Sequence, residues 1–171
     1  MSVRPRSPGV PSLVIDVATE SALWDGAGAE AIVRGAIAAA AADVAGAVEL
    51  SIVLTDDARI RALNARWRHH DSATNVLSFA TAAGSHNNAR RHLGDIVIAY
   101  ETTAREAARE QKPFAHHLAH LAVHGFLHLL GYDHESDQDA EAMEQLERTI
   151  LSRLDLPDPY VTRDAETSFD A

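Results

Sequence analysis

Between residues 124 and 134 the chain reads His124-Gly125-Phe126-Leu127-His128-Leu129-Leu130-Gly131-Tyr132-Asp133-His134. Histidines four apart on an α-helix lie about 40° apart around its axis and one turn apart along it, so His124 and His128 can bite one metal ion. Gly131 can end the helix in a left-handed conformation, which turns the chain and brings His134 back as a third ligand. Three neutral imidazoles leave the full charge on one zinc ion per chain and a fourth position open, which suits hydrolysis better than scaffolding. Burying three unpaired imidazoles among Phe126, Leu127, Leu129 and Leu130 would be costly, and this too favours the metal. Upstream, His116, His117 and His120 read as solvated or partly buried helix residues, with His120 one turn from His124 and able to line the site. Asp133 either ligates the metal or orients His134, or simply marks the helix exit.

The spacing His-x3-His-x2-Gly-x2-His is that of the metzincin proteases. There a glutamate follows the first histidine and serves as general base. Here that position is Gly125, which cannot take a proton. Met143 follows at a distance that permits a Met-turn, but it fits equally the core stripe of a last helix with Leu146 and Ile150. The metal cage of a protease is present and its base is missing.

These residues must be held by a chain of 171 residues, 46% hydrophobic and 23% charged, which fits one domain over 1–171. The chain has no cysteine, which excludes disulfides, iron–sulfur clusters and thiol catalysis and leaves His, Asp and Glu to hold any metal. The formal charge of -10 argues against a general nucleic-acid coat. It is unevenly spread: residues 56–92 carry six arginines against three aspartates, and residues 133–171 carry twelve acids against three arginines. An anionic ligand is therefore drawn to the middle of the chain. No apolar run is long enough to span a membrane, and residues 1–11 lack the apolar core of an export signal, so the expected compartment is the cytoplasm.

Apolar and β-branched runs predict strands over 13–17, 48–54, 76–79 and 93–99. Helical spacing predicts helices over 27–43, from an N-cap at Thr55 to about Trp67, over 102–110, from Pro113 to Leu130, and from a cap at Ser136 or Asp137 to about Leu154. Residues 83–91 read as a flexible connection, and 1–11 and 157–171 as loose tails. Four strands and about five helices, with the helices grouped late, predict an α+β domain.

Two further segments accompany the histidines. One runs from Leu63-Asn64 through Trp67-Arg68 and Asp71 to Thr74-Asn75-Val76-Leu77-Ser78-Phe79; the other is Leu93-Gly94-Asp95-Ile96-Val97-Ile98. Together with the histidine segment, and in this order, they resemble the YbeY family of bacterial endoribonucleases of ribosomal RNA maturation, over about residues 50–155. Ala73 and Ala80 stand where that family usually carries proline. The resemblance implies a zincin-like α+β fold with a four-stranded mixed sheet and His124, His128 and His134 as zinc ligands. It implies cleavage of single-stranded RNA, a role at the 3′ end of small-subunit rRNA and in ribosome quality control, and a ribosomal protein or assembly GTPase as partner. It also points to Arg68 as the cationic catalytic residue facing the metal. Independently, Arg68 lies in the net-positive stretch, and its fork of donors suits a phosphoryl group gaining charge. Asn75 and Ser78 can line the cleft as substrate-binding residues or cap turns, and Asp95 reads as structural. Two rival readings are a metzincin-like zinc hydrolase or protease, which Gly125 opposes, and a non-catalytic assembly factor with structural zinc, which the absence of a clear fourth ligand opposes.

Overall fold

A computed structural model describes residues 12–82, 86–87 and 90–161. The expected tail 1–11 and residues 162–171 of the expected tail 157–171 lie outside the described residues. Four principal strands form one sheet in the order β1 (Leu13–Thr19), β2 (Val48–Thr55), β5 (Arg90–Ala99), β3 (Val76–Ala80). The first three are parallel and β3 runs antiparallel to β5. Five α-helices accompany them: α1 (Ala29–Ala41), α2 (Asp57–Arg68), α3 (Tyr100–Arg109), α4 (Phe114–Leu129) and α5 (Asp137–Arg153). The α+β expectation holds.

The two-residue period of the strands divides the core. Leu50, Ile52, Leu54, Ile96 and Ile98 face α1, α4 and α5, whose Val33, Ile37, Leu118, Phe126, Met143 and Leu151 complete the main core. On the opposite face, Val97 and Ala99 pack with Ile60 of α2, joined by Leu63, Leu77 and Phe79. Successive residues of β3 thus look to different helices: Leu77 and Phe79 lie with α2, and Ser78 lies against α4.

Several boundaries differ from the sequence reading for physical reasons. The cap of α2 is Asp56, whose side chain accepts from the Arg59 amide at 2.9 Å. Thr55 instead completes β2, fully buried, with its hydroxyl donating to Glu20 at 3.1 Å. A carboxylate at the cap also complements the helix dipole, which a hydroxyl cannot do as well. Pro113 precedes α4 as its cap rather than lying in its first turn. Of the two candidates for the start of α5, Ser136 is the cap, accepting from the Asp139 amide at 3.1 Å. The segment read as a flexible connection contains a short strand, β4 (His86–Asn87), paired with Arg90 and Arg91 at the start of β5. Residues 157–161 are tied back onto α5, where Asp158 pairs with Arg148 at 3.1 Å.

The Leu93-Gly94-Asp95 segment owes its glycine to a bulge. Glu49 pairs with His92 but Leu50 pairs with Gly94, so one residue of β5 is extra. Gly94 has φ +133°, and a Cβ there would lie 2.1 Å from the Phe79 carbonyl oxygen. Because that obstacle is backbone, it cannot rotate away. Gly94→Ala is expected to destabilise the protein by on the order of 3 kcal/mol, read as a lower urea midpoint. An unchanged midpoint would mean β3 does not press against β5 at this point.

Candidate metal centre

Helix α4 turns two faces to different tasks. Leu118, Ala119, Ala122, Val123, Phe126 and Leu127 are buried in the core. His117, His120, His124 and His128 follow one another at three- and four-residue steps and form a separate polar stripe. The helix ends as its sequence requires. Gly131 has φ +100°, its amide donates to the His128 carbonyl at 3.0 Å, and the Tyr132 amide donates to the Leu127 carbonyl at 3.1 Å. The chain then reverses and lays the His134 ring over that of His124, centroids 5.9 Å apart and planes 20° from parallel. One nitrogen from each of His124, His128 and His134 falls within 4.8 Å of the others.

The hydrogen bonds decide which nitrogens face inward. Nδ1 of His124 lies 2.5 Å from a Glu147 carboxylate oxygen, and Nδ1 of His128 lies 2.9 Å from the Tyr132 carbonyl. A carbonyl and a carboxylate only accept, so both Nδ1 atoms carry the proton and both Nε2 atoms present a lone pair. These two Nε2 atoms stand 3.0 Å apart. Two lone pairs at that distance repel unless a cation lies between them. Two nitrogens on one tetrahedral zinc, each at about 2.0–2.1 Å, sit roughly 3.3 Å apart. The donor set therefore fits zinc: three imidazoles, two of them with tautomers already fixed. Burial lowers the pKa of His128 against the pull of the Tyr132 carbonyl, which favours the neutral, ligating form.

The other expected residues fall into place unequally. Ser78 Oγ donates to the Gly125 carbonyl at 3.0 Å, which joins β3 to α4 beside His124. Arg68, exposed at the end of α2, donates to the Ser78 carbonyl at 2.7 Å and stacks its guanidinium 5.1 Å from the centre of the Phe79 ring. Arg68, Ser78 and the metal helix are thus linked by two hydrogen bonds. The Asn75 side chain is engaged within the fold. It accepts from the Val76 amide at 2.7 Å and donates to Glu106 at 2.9 Å, anchoring β3 to α3. Asp133 accepts from the Glu135 amide at 3.2 Å and serves its own turn. Asp95 is exposed on β5.

Gly125 has a packing reason. A Cβ there would lie 2.9 Å from Ile96 Cγ2 and 3.2 Å from Ser78 Oγ. Position 125 faces the sheet, and the missing side chain lets α4 close onto β3 and β5. Met143 is fully packed in the core of α5. Contrary to expectation, His117 is buried, 4% exposed, with Nε2 3.0 Å from Glu106. His120 reaches Glu147 at 3.1 Å.

Sequence reasoning missed Glu147 and Tyr160. Glu147 is 0% exposed, and besides the two histidines it accepts from the Tyr160 hydroxyl. Burial by itself would raise its pKa; hydrogen bonds from His120, His124 and Tyr160 outweigh burial and hold the carboxyl at about 2. A signal was available: Glu147 sits four residues after Met143 and four before Leu151, on the buried stripe of an amphipathic helix.

The Endoribonuclease YbeY family model matches residues 16–155. The Endoribonuclease YbeY of Nitrobacter hamburgensis is 54% identical over 165 residues, covering 92% of this chain and 86% of that protein. The Endoribonuclease YbeY of Bradyrhizobium sp. (strain BTAi1) is 52% identical over 168 residues, covering 94% of this chain and 98% of that protein. The solution structure of TM1509 from Thermotoga maritima shares the fold, with a TM-score of 0.56 and 22% identity over 86% of this chain and 99% of that one. A family match across most of the chain, joined to relatives more than half identical along nearly their whole length, establishes that the chain belongs to the YbeY endoribonuclease family, a family of nuclease hydrolases.

Proposed function

We propose that this chain is a zinc-dependent endoribonuclease that cuts single-stranded RNA, acting in ribosomal RNA processing at the 3′ end of the small-subunit rRNA and in ribosome quality control in the cytoplasm. The observation that carries the reading is the inward-facing Nε2 pair of His124 and His128, 3.0 Å apart beneath His134. His124, His128 and His134 would hold one zinc, which would supply Lewis-acid polarisation and activation of water. Arg68 meets the scissile phosphate and stabilises the charge that develops on its oxygens. Of its five N–H donors, one bond to the Ser78 carbonyl orients the fork. Ser78, its hydroxyl hydrogen donated in a hydrogen bond to the Gly125 carbonyl, keeps acceptor lone pairs for RNA hydroxyls. Asn75 contributes by holding β3 in place. The acidic balance of the chain limits RNA affinity to the region around Arg68, and a ribosomal protein or assembly GTPase supplies the remaining contacts with the ribosome. Among the described residues no helix is long and apolar enough to cross a membrane.

The test compares metal-loaded and chelated protein on single-stranded RNA, duplex RNA and a peptide library. Zinc-dependent cleavage of the single strand alone is expected. General-base catalysis is typically worth about 10²–10⁴-fold, and position 125 offers no base, so peptide turnover should stay at background. Zinc-dependent peptide hydrolysis lost in His124→Ala would favour a protease. Zinc retention without cleavage of any RNA would favour a structural metal in an assembly factor.

A further inference from the structure

Glu147 is a carboxylate with no access to solvent in a helix whose other buried residues are Met143, Ile150 and Leu151. An apolar side chain of similar size would serve that core at least as well, because a buried charge must first be compensated for its lost hydration. Here the compensation is supplied by three side chains from two parts of the chain. Nδ1 of His124 and Nε2 of His120 approach from α4, and the Tyr160 hydroxyl approaches from the segment that follows α5. That segment is itself secured. The Tyr160 amide donates to Asp158 at 2.8 Å, Asp158 pairs with Arg148, and the Arg148 guanidinium lies 5.3 Å from the centre of the Tyr160 ring.

Of these donors, His124 alone also offers a nitrogen to the candidate metal centre. Its imidazole has two tautomers, and the one with the proton on Nε2 cannot ligate through that atom. An anionic acceptor fixed against Nδ1 removes that tautomer and sets the plane of the ring. Glu147 cannot swing away, because its other oxygen is engaged by His120 and Tyr160. We infer that Glu147, clamped by Tyr160, is a positioning residue that holds His124 in its metal-ready tautomer and orientation, so the segment after α5 is part of the metal site. The inference rests on the zinc reading proposed above.

The experiment measures zinc affinity by competition with a chromophoric chelator at pH 7. Alongside it run thermal unfolding of the metal-free proteins and long-range ¹H–¹⁵N NMR of the His124 ring, for wild type, Glu147→Gln and Tyr160→Phe. Glu147→Gln should bind zinc about 10–100-fold more weakly, the usual cost of losing a carboxylate behind a ligating histidine. Tyr160→Phe removes one hydrogen bond further out and should cost about two- to ten-fold. Metal-free wild type should show His124 protonated on Nδ1, and Glu147→Gln should show a mixture. Unchanged zinc affinity in both variants, whatever happens to thermal stability, would overturn the inference and leave Glu147 a structural residue. A metal-free wild type protonated on Nε2 of His124 would overturn it equally. If Glu147→Gln does not fold, Tyr160→Phe and the wild-type tautomer decide. Wild type that takes up no zinc at all would instead remove the earlier reading on which this one stands.

Discussion

His128→Ala is expected to abolish stoichiometric zinc binding and reduce RNA cleavage to that of the chelated protein, while the fold survives. The expected loss is large because, on the proposed zinc reading, His128 would supply one of the three ligands found among the described residues. Its Nε2 is one half of the 3.0 Å pair, and His124 with His134 alone leaves an open two-nitrogen site. Disturbing a residue behind a metal ligand already costs about 10–100-fold in affinity, and removing the ligand itself must cost more. The fold should tolerate the change. The His128 side chain is half-buried and its hydrogen bond goes to the Tyr132 carbonyl in a neighbouring turn. The core contacts of α4 are made by Leu118, Ala122, Phe126 and other apolar residues on the adjoining face. Alanine also favours the helix slightly. Elemental analysis, circular dichroism and cleavage assays on wild type and variant check this together. One zinc retained per chain of His128→Ala would show that the ion is held elsewhere, and no uptake by wild type would show that the triad is not a zinc site.

The difference between what could and could not be read in advance is one of sequence distance. The three histidines lie within eleven residues, and their coming together follows from helix periodicity and one glycine turn, so this cluster was legible from local rules. The carboxylate behind it was not. Glu147 lies 23 residues from His124, and only the packing of α5 on α4 brings them together. The same holds for Asn75, whose amide looked available for substrate but meets Glu106 31 residues away. His117 followed the polar stripe of α4 in sequence, yet α3 folds over it and buries it against Glu106. At Thr55 two local signals competed: a threonine before two aspartates reads as a cap, but pairing with β5 claims it for the sheet. Gly125 was legible as a missing base and illegible as a contact, since its need for closeness comes from Ile96 and Ser78 on other elements.

Arg68→Ala is expected to keep the zinc and the fold and to lose about 10²–10³-fold in the rate of single-stranded RNA cleavage, the usual effect of removing one preorganised donor to a developing charge. Arg68 is chemically unfit to ligate zinc, because guanidinium stays protonated and carries no lone pair to donate. Its structural worth is small: one exposed hydrogen bond to the Ser78 carbonyl and one exposed contact with the Phe79 ring. Together these are worth roughly 1–2 kcal/mol. Such a loss lowers the melting temperature by a few degrees without unfolding the chain at assay temperature. The catalytic effect should therefore stand apart from the structural one. Arg68→Lys should restore little, since an ammonium can replace the charge but cannot hold the Ser78 carbonyl and a phosphate oxygen in one planar fork. The measurements are zinc content, thermal unfolding and cleavage rate for wild type and both variants. Near-normal cleavage by Arg68→Ala would remove Arg68 from the reaction. Loss of zinc or a collapse in stability alongside activity would mean that it acts by holding β3 against the end of α2, leaving the phosphate charge to be met by another group.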